Sequence, residues 1–129
     1  MTLNVHAYIA YEDGRMAILD PLEVGRDLAG PEQWRTLVWG SPEVRTLGTR
    51  FFPRLDGEDL YVCHEELEAF RQECHLLLEN IHTVAPPDNP KDSRLNHEYY
   101  VVEVTERLTY ILEAIERAEQ LERGAVVIW

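Results

Sequence analysis

The sequence predicts an α+β fold, a two-layer sandwich of about four mainly antiparallel strands packed against two long helices, with two short helices between. Three observations point there. An Asp13-Gly14 pair separates two strand-like segments, two long stretches with 3–4 apolar spacing fill the second half, and β-branched residues cluster at 126–128. With 129 residues, 45% of them apolar and 28% charged, the chain reads as one domain spanning 1–129.

Residues 3–11 alternate imperfectly, placing Val5, Ala7 and Ile9 on one face of a strand. Glu12-Asp13-Gly14-Arg15 supplies a hairpin turn, because glycine tolerates the positive φ such turns require. Residues 15–19 return as a second strand that Asp20-Pro21 stops. Gly25, Gly30, Pro31, Gly40, Pro42 and Gly48 interrupt the next segment, leaving room for two short helices. The first runs from Pro31 to Gly40 and carries Trp34 and Trp39. The second has Ser41 as its cap, Pro42 at its first position and Gly48 at its end. Phe51-Phe52-Pro53 reads as a buried connector, and residues 59–63 as a third strand following an Asp56-Gly57 turn.

The first long helix runs from 65 to about 85, with Leu67, Phe70, Cys74, Leu77, Leu78 and Ile81 on one stripe. Pro86, Pro87 and Pro90 end it. Asp92 or Ser93 caps the second, about 94–123, whose stripe is Val101, Val104, Leu108, Ile111, Leu112 and Ile115; Gly124 closes it. Residues 125–129 are too apolar to stay unpaired. They join this sheet or that of a second subunit.

Charge narrows the function classes. The 24 acids and 12 bases leave a formal charge of -12, which disfavours nucleic acid and anionic membrane as partners, since both draw on clustered Lys and Arg. Residues 1–55 hold 7 acids and 6 arginines, a net of -1. Residues 56–129 hold 17 acids and 6 bases, a net of -11. The densest stretch, 56–79, contains Asp56, Glu58, Asp59, Glu65, Glu66, Glu68, Glu73 and Glu79 against Arg71 alone. Such like-charge density costs stability, so these eight are the candidate residues for docking a basic protein. The bland reading is a solvated acidic surface that keeps the protein soluble. On the second long helix, Glu103–Arg107, Glu113–Arg117 and Glu119–Arg123 are spaced for structural i,i+4 pairs.

His75, Glu79 and His82 fall on one face of the first long helix and are the weak candidates for a metal site. Glu79-x-x-His82 matches half of the di-iron bundle pattern, but the second half is missing. The competing reading is a set of flank histidines beside the core stripe. Cys63 and His64, adjacent in an extended chain, point to opposite faces and so form no catalytic pair. Trp34, Trp39, Phe51, Phe52 and Tyr99-Tyr100 read as core beneath loops, with binding anchors as the alternative.

No phosphate-binding, dinucleotide-binding, nucleophile-elbow or zinc-protease motif occurs. The expectation is a non-enzymatic binding protein without cofactor. In size, charge and architecture it resembles bacterial immunity proteins, and the resemblance implies a basic toxin domain as partner. The alternatives are an oligomeric structural or accessory subunit, such as a homodimer paired through the final strand or exposed aromatics, and a small metal-dependent protein using the His/Glu face. Two cysteines with no C-x-x-C, no signal-peptide pattern and no apolar run approaching ~18 residues make the cytoplasm the default compartment.

Overall fold

A computed structural model describes residues 2–129. Its frame is an antiparallel sheet of five strands, one more than the sequence led us to expect. β1 (Thr2–Ala10) is paired along both edges. On one edge lies β5 (Gly124–Ile128), with Val5 to Ile9 of β1 opposite Ile128 to Gly124. The other edge is shared by β2 (Met16–Ile18), opposite Tyr8 to Ala10, and β3 (Leu28–Pro31), opposite Thr2 and Asn4. β4 (Leu60–Val62) pairs with the far side of β5. The final strand therefore joins this chain's own sheet, at its centre.

β3 is the strand the sequence hid. Leu28-Ala29-Gly30-Pro31 has no alternation and holds two residues that weaken strands. Pairing with β1 holds it, and the buried Trp39 indole donates to the Ala29 carbonyl at 3.0 Å. The short helix expected between Pro31 and Gly40 is instead one π-helical turn, Arg35–Trp39, closed by Gly40 N–H donating to the Arg35 carbonyl at 2.9 Å. The second short helix forms as α1 (Pro42–Thr46), with the Ser41 hydroxyl accepting from Val44 N–H at 3.2 Å.

The first long helix is broken in two. A 3-10 turn (His64–Glu66) leads into α2 (Leu67–Glu79), and α3 (Ile81–Val84) follows after Asn80 leaves helical geometry at φ -116, ψ 29. The second, α4 (His97–Glu119), is capped by Asn96, whose side chain accepts from Tyr99 N–H at 2.8 Å; Asp92 and Ser93 lie upstream in the connector.

The helices cover one face of the sheet. Leu3, Val5 and Ala7 of β1, Leu60 and Val62 of β4, and Val126 and Ile128 of β5 pack there with Phe70 and Leu77 of α2 and with Val104, Leu108, Ile111 and Ile115 of α4. The aromatic segment completes this core. Trp39 stacks on Phe52 with ring centroids 4.8 Å apart, and Phe52 meets Phe70 at 5.2 Å. Full burial of each such side chain contributes roughly 1.5–3 kcal/mol, so Trp34, Trp39, Phe51 and Phe52 are core residues and not surface anchors.

Candidate functional site

The fold disperses the acidic stretch. Asp59 pairs with Arg35 at 2.8 Å and Asp56 with Arg45 at 3.1 Å, both arginines coming from the near-neutral N-terminal portion. Glu68 pairs with Arg71 at 3.3 Å. Glu73 is withdrawn from the surface altogether. It is 7% exposed, and its carboxylate accepts the backbone N–H groups of Arg50 (2.7 Å), Phe51 (3.0 Å) and Phe52 (2.8 Å). A carboxylate left buried and unbonded is costly, and the irregular connector supplies donors that lack other partners. This corrects its place on the docking surface. Glu58, Glu65, Glu66 and Glu79 remain without an arginine.

Two of the expected helix pairs are also re-partnered by tertiary contacts. Glu103–Arg107 forms at 3.2 Å, but Glu113 binds Arg26 and Glu119 binds Arg71. Arg117 donates to the Asp20 carbonyl instead, at 2.6 Å.

His75, Glu79 and His82 are exposed and do not converge; the helix breaks at Asn80, so His82 lies on α3 and not on the helix that carries His75 and Glu79. His82 packs against His97, centroids 5.9 Å apart. Among the described residues, no three His, Cys, Asp or Glu side chains are placed to hold a metal ion.

The feature the sequence did not announce is the other face of the sheet, which the α-helices leave open and only the 3-10 turn at His64–Glu66 borders. Register assigns its residues: Tyr8 faces Ile18 on one side and Ala125 on the other, Ala10 faces Met16, His6 faces Val127, and Val127 faces Tyr61. Tyr8, Ala125 and Val127 form a small apolar cluster separate from the main core, with Ala10 packed against it. Around it Met16, Ile18, Tyr61 and Trp129 stay 37–46% exposed. Trp129 stands edge-on to Tyr61 and to His6, each at 6.3 Å. An apolar face with aromatics on an uncovered sheet is a feature soluble surfaces rarely carry without a use.

Its rim is acidic. Asp27 sits beside Asn4 and His6, Glu65 and Glu66 beside Cys63, and Glu12 and Asp13 on the β1–β2 loop. Arg15 pairs with Asp13, and Arg123 with Glu12 at 3.3 Å, leaving Asp27, Glu65 and Glu66 without an arginine salt bridge, although Arg123 lies close enough to Glu65 to favour its charged form. At one end of the face a hollow of about 260 Å³ opens between Tyr8, Ala10, Ala125, Cys63, His64, Glu65 and Arg123.

Cys63 and His64 line this hollow together, contrary to the expectation for an extended pair, because the strand stops at Val62 and the 3-10 turn begins at His64. The His64 Nδ1 lies 2.8 Å from the Gly124 carbonyl, which makes Nδ1 the donor. The Cys63 thiol donates to Glu66 at 3.2 Å. Partial burial and the Glu66 and Glu65 carboxylates push it above the ordinary thiol range, which opposes thiolate chemistry here. Tyr8 is likewise raised, by burial and then by Tyr61 and Cys63, and stays a neutral hydroxyl. Glu65 is held below the usual carboxylate range by its own backbone N–H and by the Cys63 thiol, so it is anionic at neutral pH.

Sequence reading passed over Tyr8, Tyr61 and Trp129. The signal was present in the alternation, since Tyr61 stands between the buried Leu60 and Val62. Only the helices' choice of face reveals that the side it points to is bare. No helix among the described residues is long and apolar enough to cross a membrane. Comparison with protein-family models, with curated proteins and with solved structures finds no match in any of the three.

Proposed function

We propose that this chain is a non-enzymatic binding protein that docks a basic protein on the open face of its sheet. One observation carries the reading: Met16, Ile18, Tyr61 and Trp129 stand exposed around the buried Tyr8 on the sheet face away from the main core, and the rim of that face holds five acids and two arginines, both arginines already paired. Aromatic anchors inside a charged rim are the composition of protein interfaces, with the rings supplying affinity and the rim supplying partner choice and rate of encounter. The formal charge of -12 favours a cationic occupant and opposes a second copy of the same chain. This moves the acidic docking site from the 56–79 stretch as a whole to Glu65 and Glu66, joined by Asp27. A toxin domain neutralised by an immunity-type inhibitor has the required chemistry, and two free thiols suit a reducing compartment such as the cytoplasm.

The test compares proteins captured from native lysate by the wild type and by Tyr61→Ala and Trp129→Ala variants. A basic polypeptide held by the wild type, released as salt rises, and bound at least about tenfold more weakly by each variant is the expected result. Capture that is indifferent to both substitutions overturns the reading. Light scattering of the pure protein decides the competing occupant, because a dimer dissociated by Tyr61→Glu would assign this face to a second copy.

A further inference from the structure

We infer that the free edge of β4 is a strand-addition site, where an extended basic segment of the partner lies as a further strand of the sheet; this rests on the docking proposed above. β4 ends the strand order and pairs with β5 alone. The phase of the ladder decides where its backbone groups point. Asn4 and Trp129 exchange two hydrogen bonds, at 2.8 and 3.0 Å, and Ala10 N–H donates to the Arg123 carbonyl at 3.1 Å. Bonded pairs recur at every second residue of an antiparallel ladder, so Val127 turns to β1 while Val126 and Ile128 turn to β4. Their partners Val62 and Leu60 are bonded to β5, which leaves the Tyr61 N–H and carbonyl pointing out from the sheet. Neither group is hydrogen-bonded among the described residues.

Free edges are commonly guarded by a lysine, a proline or a bulge. Leu60-Tyr61-Val62 holds none of these, and its shortness leaves one donor and one acceptor, enough to register one residue of an incoming strand. Tyr61 is also where this edge meets the docking face, since its ring is 46% exposed there while Leu60 and Val62 are buried on the opposite side. One residue thus offers a ring to the face and a backbone pair to the edge. In strand addition the main-chain bonds supply affinity and the alternate side chains supply choice. Charge sets the choice here. Glu58 precedes the strand and Glu66 follows it, neither with an arginine salt bridge, and Asp59 is held by Arg35. A segment with Lys or Arg at both ends meets these acids, whereas a second copy crowds another set of the same acids against them.

The test is amide hydrogen exchange on the ¹⁵N-labelled full chain. In the free protein the Tyr61 amide is expected to exchange freely while those of Leu60 and Val62 are protected. The probe is the peptide acetyl-Lys-Val-Thr-Val-Lys-amide, beside a copy N-methylated at the threonine and a copy with Gln for both Lys. Saturable binding that protects the Tyr61 amide is expected. The N-methyl group weakens it about threefold to tenfold, the worth of one hydrogen bond, and salt or the Gln copy weakens it too. A Tyr61 amide already protected in the free chain, no binding, binding that leaves Tyr61 unprotected, or equal binding of the N-methylated copy overturns the site. Protection of Tyr61 that grows with protein concentration alone assigns the edge to a second copy and overturns it as well. The two proposals fail separately. Partner capture lost with Tyr61→Ala and Trp129→Ala, with the wild-type Tyr61 amide still unprotected in the captured complex, keeps the docking face and rejects the edge.

Discussion

Glu73 offers the sharpest test of how this fold uses its acids. Its carboxylate lies on α2, almost fully buried, and takes the N–H groups of Arg50, Phe51 and Phe52 at 2.7–3.2 Å. Glu73→Ala leaves the Phe51 and Phe52 amides buried without acceptors and that of Arg50 partly so. One buried donor left unpaired costs about 1–3 kcal/mol, and bonds to a charged acceptor are stronger than neutral ones. With water reaching the Arg50 amide and the burial cost of the charge removed, the expected loss is about 3–5 kcal/mol. That is a large part of the roughly 5–15 kcal/mol that holds such a domain together. Glu73→Gln keeps the shape but replaces one acceptor by a donor aimed at backbone N–H groups, costing about 2–3 kcal/mol. Urea unfolding followed by tryptophan fluorescence measures both. Glu68→Gln, an exposed change on the same helix, should stay within about 0.5 kcal/mol of the wild type. A Glu73→Ala protein within about 1 kcal/mol of the wild type would refute the anchoring role. A docking residue would give the reverse pattern, with partner binding lost and stability kept.

Other consequences follow from the packing. A Cβ on Gly124 would sit 1.9 Å from the Ala118 carbonyl oxygen, backbone that cannot swing aside, so Gly124→Ala should destabilise by about 3 kcal/mol in the same unfolding assay. Arg35 donates to the Leu55 and Glu58 carbonyls at 3.1 and 2.7 Å as well as to Asp59, tying the π turn to the start of β4. Arg35→Ala should therefore cost about 2 kcal/mol, and Arg35→Lys should recover less than half because it loses the fork geometry. Thiol titration should find Cys63 modified more slowly at pH 8 than a free cysteine and Cys74 unmodified until the chain unfolds, since both thiols are raised, Cys74 chiefly by burial. The unfolded chain then loses the Cys74 proton first. Its stabilising effect is complete below the ordinary thiol range and is lost as pH climbs from there towards the folded value, so Cys74→Ala should flatten the alkaline fall in stability.

Where local patterning and packing agree, the sequence alone determined the structure. The Asp13-Gly14 turn, with Gly14 at φ +89, the Ser41-Pro42 cap, and the apolar stripes of α2 and α4 are set by forces acting within a few residues, and all are legible in order along the chain. Partners distant in sequence decided the remainder. β3 exists because β1 has an open edge beside it; Glu73 is buried because the amides of residues 50–52 need an acceptor; Arg26, Arg35 and Arg45 cancel charges 87, 24 and 11 residues away. The open face is of the same kind. Alternation places Tyr8 and Tyr61 on one side of their strands, but which side the helices cover is a choice made by the assembled layers, and no local pattern records it.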